Sequence, residues 1–131
     1  QKNAGTLEVE YVPQGTLAER IRAYGAGLGG VLTPTGLGTI IQDGKQIINV
    51  DGKDYILEKP LKADIAFLRA NIVDEDGNMV FLGTTQNFNP LMAMAADYVV
   101  VEAEKLVKNG EIAPEQIHAS GIFVDGIYLE K

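Results

Sequence analysis

Along the first quarter of the chain the apolar positions change period. Leu7, Val9 and Tyr11 alternate with Glu8 and Glu10, the two-residue repeat of a strand with one wet face, and Pro13 closes it. Leu17, Ile21 and Tyr24 then recur at helical spacing behind Thr16-Leu17-Ala18-Glu19. That tetrapeptide fits a capping box, in which the Thr hydroxyl and the Glu carboxylate satisfy free amides of the first turn, so a helix is predicted over 16–24. Six glycines and a proline interrupt residues 25–38. Glycine loses so much backbone entropy on ordering that neither helix nor strand is expected there. The segment reads as a long shaped loop whose small residues let backbone amides approach a ligand or another chain.

Three apolar runs follow, at 39–41, 46–50 and 53–58, separated by Asp43-Gly44 and Asp51-Gly52. Asp-Gly between alternating apolar residues signals a hairpin, because both residues tolerate positive φ. A small antiparallel meander with a scaffold role is therefore expected. Residues 63–70 are almost continuously apolar, the mark of a strand buried on both faces under helices. After a turn at 74–78, a return strand is predicted over 79–82. Asn89 and Pro90 suit the N-cap and first turn of a helix running through Leu91, Met92, Met94 and Ala95. A strand at 97–101, one helical turn at 114–117 and a final strand at 122–129 complete the pattern. Strands of both kinds interleaved with short helices indicate an α/β sandwich with an open, mostly parallel sheet, in a single domain over 1–131. Only two convincing helices are present and Gln1 is not an initiating residue, so the layers read as incomplete and upstream polypeptide is expected.

The net charge of −7 would repel a long polyanion, and no Lys/Arg cluster offsets it, so nucleic acid is not expected as a partner. A compact anion needs only a local basic spot such as Arg20, Arg22 or Lys62, so the overall acidity does not exclude one. The absence of cysteine removes disulfides, thiolate nucleophiles and Cys-ligated metals. No apolar run approaches the roughly 20 residues needed to cross a bilayer. No membrane association is expected, and the chain reads as cytoplasmic.

Several motifs bear on chemistry. Gly25-Ala26-Gly27-Leu28-Gly29-Gly30 resembles GxGxxG, but it follows a helix instead of a strand, which rejects a dinucleotide site. His118 is the only histidine and reads as a polar residue after a helical turn, with no metal site built on it. Glu102 and Glu104 share a face if their strand continues, and a solvated strand end is the preferred reading over an acid/base pair. Met92 and Met94 are read as helix packing. In Gln86-Asn87-Phe88-Asn89-Pro90, Asn89 has a capping duty, whereas Gln86 and Asn87 show no local one.

The strings VPQGTLAERIRAYGAGLGG at 12–30, LTPTGLGT at 32–39, DGKDYILEKPLKADIAFLRA at 51–70, NFNPLMAMAAD at 87–97 and IHASGIFVD at 117–125 resemble, in order, blocks of the small (A) subunit of the family I CoA-transferases. These include the 3-oxoacid and acetate/butyrate-acetoacetate enzymes. The resemblance covers nearly the whole chain and implies an open α/β sheet with helices on both faces, with the antiparallel hairpins as an insertion. It corresponds to about the last three-fifths of such a subunit by ordinary domain sizes, leaving a glycine-glycine-phenylalanine segment upstream. It further implies CoA transfer from an acyl-CoA to a carboxylate through a glutamyl-CoA intermediate on a B subunit. CoA is then a substrate and no cofactor is needed. No glutamate here sits in the serine-glutamate-asparagine-glycine setting of that nucleophile, so no catalytic residue is assigned; Glu8, Glu10, Glu19 and Glu58 read as strand, capping and hairpin residues.

By the same resemblance the proline-glutamine-glycine turn and the glycine loop lie beside the acyl pocket. This marks Gln14, Gly15, Gly27, Gly29, Gly30, Thr33 and Thr35 as substrate-binding candidates. The Gln14 amide would donate to a carbonyl oxygen as its charge grows, although a turn glutamine also bonds its own backbone. Where many relatives carry a further glycine and an aromatic pair, this chain has Tyr24 and Val31-Leu32. A roomier apolar wall is expected, suited to acetate, butyrate or acetoacetate and poor for succinate. The expected partners are the N-terminal remainder of the small subunit together with a B subunit. The alternative is a stand-alone acyl-CoA or small-acid binding domain, which should be monomeric and stable alone; a sugar-phosphate isomerase would require a basic phosphate pocket that the sequence lacks.

Overall fold

A computed structural model describes residues 1–130. The first regular helix, α1, covers Gln14–Gly25, with Pro13 as N-cap at φ −57°. It begins two residues before the predicted start, which leaves Thr16 buried inside the first turn and dissolves the expected capping box. Proline pre-sets a helical φ and lacks an amide to satisfy, so it starts the helix by itself. The other end is a Schellman motif: the Leu28 amide donates to the Ala23 carbonyl (2.8 Å) and the Gly27 amide to the Tyr24 carbonyl (2.9 Å), with Gly27 left-handed at φ +68°.

Two sheets follow. In the first, β1 (Val31–Thr33) and β2 (Ile47–Val50) flank β3 (Lys53–Glu58), both antiparallel to it. The turn between β2 and β3 has positive φ at Asp51 (50°) and Gly52 (80°), the combination that matches hairpin twist. Two expectations change here. The glycine-rich segment contributes a strand, β1, and residues 39–41 do not: Ile40–Gln42 form a 3₁₀ turn capped by the Thr39 hydroxyl, which accepts from the Ile41 amide at 3.2 Å.

The second sheet has the order β5-β4-β6-β7, from β4 (Ala63–Asp74), β5 (Met79–Val80), β6 (Ala96–Val107) and β7 (Gly126–Leu129). β4, β6 and β7 run parallel, and β5 is an antiparallel edge. The sheet is therefore open and mostly parallel, as expected, with the small antiparallel sheet beside it. A single-turn helix, α2 (Asn89–Met92), is shorter than predicted; Phe88 is its N-cap and Asn89 its first residue. Freed from capping, Asn89 turns inward, where its Oδ1 accepts from the Arg69 amide (3.2 Å) and its Nδ2 donates to the Thr85 carbonyl (3.0 Å). The final strand is also shorter than predicted, because Gly121–Phe123 form a 3₁₀ turn before β7.

One face of the parallel sheet carries the core, in which Ala66, Leu68, Ala70, Val99, Val101 and Ala103 pack against Met79, Phe81 and Ala93. The opposite face does not match the two-sided burial expected of 63–70. Phe67 is 73% exposed and Ile65 53%, and no helix covers them among the described residues. Residues 7–12 keep their alternation but pair with no strand among the described residues, and Leu7, Val9 and Tyr11 remain exposed. A strand is defined by a neighbour's hydrogen bonds, and periodicity alone cannot supply one.

Candidate functional site

The start of α1 and strand β1 meet at an open cavity of about 690 Å³ whose walls include Pro13, Gly15, Arg22, Leu32, Thr33 and Thr35. Pro13 sets the helix start, which aims the first turn at the cavity. β1 is held opposite by its pairing with β3, Leu32 against Leu57. The Thr33 hydroxyl accepts from the Thr35 amide at 3.1 Å and so fixes the bend after β1. Val31 and Leu32 both line this space.

The residues singled out from the sequence divide into two groups. Gly15, Thr33 and Thr35 converge on the cavity, and Gln14 lies between two lining residues, exposed, with no side-chain hydrogen bond among the described residues. Gly27, Gly29 and Gly30 do not line it. Gly27 ends the helix. At Gly30 (φ +153°) a Cβ would meet the Glu58 carbonyl oxygen at 2.8 Å, so glycine there permits close packing of the loop on β3; at Gly29 nothing lies within 4 Å.

Charge pairing around the site was not legible beforehand. Glu19, expected to cap α1, instead accepts from Nε (2.8 Å) and Nη2 (2.7 Å) of Arg22 inside the cavity. Its hydrogen bond and charge raise the Arg22 pKa above the ordinary arginine value. Glu58, read from the sequence as a hairpin residue, does lie at the end of β3 and is only 1% exposed. It accepts from Lys45 (2.7 Å) and lies 4.0 Å from Arg20, which in turn pairs with Glu10 (2.9 Å) and donates to the Lys59 carbonyl (2.9 Å). This network ties the segment before α1 to the strand beneath the glycine loop. The i,i+3 spacing of Glu19 and Arg22 was a readable signal; nothing in the sequence marked the long-range partners of Glu58. Lys62, the third candidate basic spot, pairs with Asp97 at 2.5 Å, and that hydrogen bond raises its pKa above the usual lysine value.

The remaining candidates resolve into structural duties. His118 Nδ1 accepts from the Phe81 amide (2.9 Å), which assigns the neutral ring's proton to Nε2, and the ring stacks on Phe81. β6 does continue through Glu102 and Glu104, and Glu104 accepts from Asn71 at 2.9 Å. Gln86 and Asn87 have the local roles that the sequence did not reveal: Gln86 donates to the Phe81 carbonyl (3.0 Å), and Asn87 accepts from the Asn89 amide (3.3 Å). Among the described residues no group of three or more acidic or histidine side chains is arranged to hold a metal ion, and no helix is long and apolar enough to cross a membrane.

The coenzyme A transferase family model matches residues 1–130. The alpha subunit of the acetoacetyl-CoA:acetate/butyrate CoA transferase of Clostridium acetobutylicum is 56% identical over 124 residues, covering 95% of this chain and 57% of the relative. The alpha subunit of the acetate CoA-transferase of Escherichia coli K12 is 48% identical, covering 98% of this chain and 58% of the relative. This chain thus spans a little over half the length of these curated relatives. Among solved structures, glutaconate coenzyme A-transferase from Acidaminococcus fermentans superposes with a TM-score of 0.87 at 20% identity, over 98% of this chain and 47% of that one. With the family model matched across residues 1–130 and close relatives over nearly its whole length, this chain belongs to the coenzyme A transferase family.

Proposed function

We propose that this chain is part of the small (A) subunit of an enzyme that moves CoA between an acyl-CoA and a short-chain carboxylate, acting with a B subunit that delivers the nucleophilic glutamate. The reading rests on one observation, the unbroken family match across residues 1–130. The convergence of Gly15, Thr33 and Thr35 on one cavity beside Gln14 is consistent with it.

In this mechanism the partner's carboxylate attacks the acyl-CoA carbonyl carbon, and the C–S bond breaks to give a glutamyl-acyl anhydride and CoA thiolate. The thiolate attacks the glutamyl carbonyl, releasing the first acid and leaving a glutamyl-CoA thioester. The incoming carboxylate then repeats the two steps in reverse with its own acyl group. Each attack places negative charge on a carbonyl oxygen. Gln14 lies at the cavity rim with its amide N–H₂ uncommitted, and a preorganised donor at that oxygen is worth a few kcal/mol. CoA enters and leaves as a substrate, with no resident cofactor.

The apolar side chains of Val31 and Leu32 in the wall favour short monocarboxylates: acetate, butyrate or acetoacetate. The test is a reconstituted two-subunit enzyme assayed with each acid and with succinate. The expected result is a higher kcat/KM for the monocarboxylates; succinate as the best acceptor would overturn the assignment. Mass spectrometry of the trapped intermediate should find the CoA adduct on the B subunit, with none on this chain. Gln14→Ala should lower kcat on the order of a hundredfold with little change in KM.

A further inference from the structure

Arg20 is a buried charge that the candidate site does not use. The residue is 9% exposed and does not line the cavity between the start of α1 and β1. Its contacts run to three other parts of the chain. Nη1 donates to Glu10, before the helix, at 2.9 Å. Nε donates to the Lys59 carbonyl at 2.9 Å and lies 4.0 Å from the Glu58 carboxylate at the end of β3. The Arg20 carbonyl accepts from the Leu61 amide at 3.0 Å. One residue of α1 therefore holds the link between β3 and β4 through both its side chain and its backbone. Lys45 completes the group, 2.7 Å from Glu58 and 4.0 Å from Glu10, so two carboxylates face two cations with no charge left over.

These contacts bear on the geometry of the cavity. Gln14 lies within the loop of chain that the Arg20–Glu10 pair closes. Residues 10–13 belong to no helix or strand, so the Glu10 side chain anchors the segment that leads into Gln14. Across the cavity, β1 is fixed to the same strand end. Val31 is the register partner of Glu58, and Gly30 leaves room for the Glu58 carbonyl, which a Cβ there would meet at 2.8 Å. Both walls are thus tied to one point, α1 through Arg20 and β1 through the backbone of Glu58. Exposed ion pairs contribute little, whereas breaking a buried one leaves an uncompensated charge. The planar guanidinium also spans several acceptors at fixed angles, which the compact ammonium of a lysine cannot do.

We infer that Arg20 is a positioning residue: held by Glu10, Glu58 and the Lys59 carbonyl, it sets α1 against β1 and thereby places the Gln14 amide at the cavity. The inference rests on the role proposed for Gln14 and extends it to a residue outside the cavity. Its effect falls on the chemical step, because a misplaced donor stabilises the transition state less while ground-state binding is kept.

The test is steady-state kinetics of the reconstituted two-subunit enzyme, with a full-length small subunit carrying Arg20→Lys, Gln14→Ala or both. Arg20→Lys should lower kcat on the order of tenfold with KM unchanged, since small displacements arising far from the chemistry have effects of that size or larger. In the Gln14→Ala background the same substitution should lower kcat no further, because residues that act as a unit are not additive. Glu10→Gln, at a side chain 59% exposed, should reproduce the pattern more weakly, and it decides the matter if Arg20→Lys fails to fold. An equal drop in kcat with and without the Gln14 side chain would overturn the inference, as would a rise in KM alone or no change in either constant. A parent enzyme that transfers no CoA would overturn the proposed function and this inference with it; an active parent with additive losses overturns this inference alone.

Discussion

The two sheets of this chain bury different chemistry. In the antiparallel sheet the strands are neighbours in sequence, the Asp51-Gly52 turn sets the register, and the most buried side chains are Ile56 and a carboxylate, Glu58. In the parallel sheet β4 and β6 are joined by a long connection, and the buried face is almost wholly apolar, with Phe81, Val99 and Val101 at its centre. The first sheet places a cavity wall and is fastened by ion pairs; the second holds the domain together by excluding water. The lesson is that the part nearest the candidate site depends on charge partners supplied from elsewhere in the chain, and the part farther away depends on shape.

The contrast can be broken most severely in the parallel sheet. Phe81→Ala, at a fully buried site, should cost about 3–5 kcal/mol, read as a lowered denaturation midpoint of the full-length protein. In the antiparallel sheet, Glu58→Gln strands Lys45 and Arg20 and should cost about 3 kcal/mol, whereas Glu58→Leu combined with Lys45→Met should recover most of it, because matched apolar replacement is often neutral. A double-mutant cycle over Glu58→Leu, Lys45→Met and the pair measures the coupling; a loss in the double variant equal to the sum of the two single losses would show that the pair is not coupled.

Smaller effects sharpen the comparison within the glycine loop. Gly30→Ala forces a side chain against the Glu58 carbonyl at positive φ and should cost about 1–3 kcal/mol. Gly29→Ala has open space around it and should be neutral or stabilising by up to about 1 kcal/mol. The smallest change belongs to Lys62. Its pKa is raised by Asp97, so the contribution of the pair is fully present below the ordinary lysine pKa and is lost as pH rises through the elevated value. Lys62→Met should leave the midpoint unchanged within error at neutral pH, and the variant and parent should differ even less in strongly alkaline buffer.

Much of the fold could be read locally. The β2–β3 hairpin follows from Asp51-Gly52 between alternating residues, and β4 and β6 from their apolar runs. The candidate site was half legible: Gly15, Thr33 and Thr35 meet at one cavity, while Gly27 and Gly30 answer to the helix end and to β3. The failures share a cause. Thr16-Glu19 has the composition of a capping box, but Pro13 starts the helix earlier and Glu19 finds Arg22. Residues 7–12 have a strand's alternation but no strand beside them among the described residues, and residues 39–41 lose their strand to the competing Thr39 cap. In each case the local preference is real and a partner outside the window decides the outcome.

Element type, the apolar stripe of β4 and the family follow from the order of residues alone, because helical and extended periods, turn chemistry and motif strings are carried in short windows of sequence. Tertiary structure alone decided which face of β4 is buried, that Glu58 is held dry between two cations, and that the start of α1 and β1 enclose one cavity. Those properties depend on residues far apart in sequence being brought within a few ångströms, where desolvation and charge pairing act.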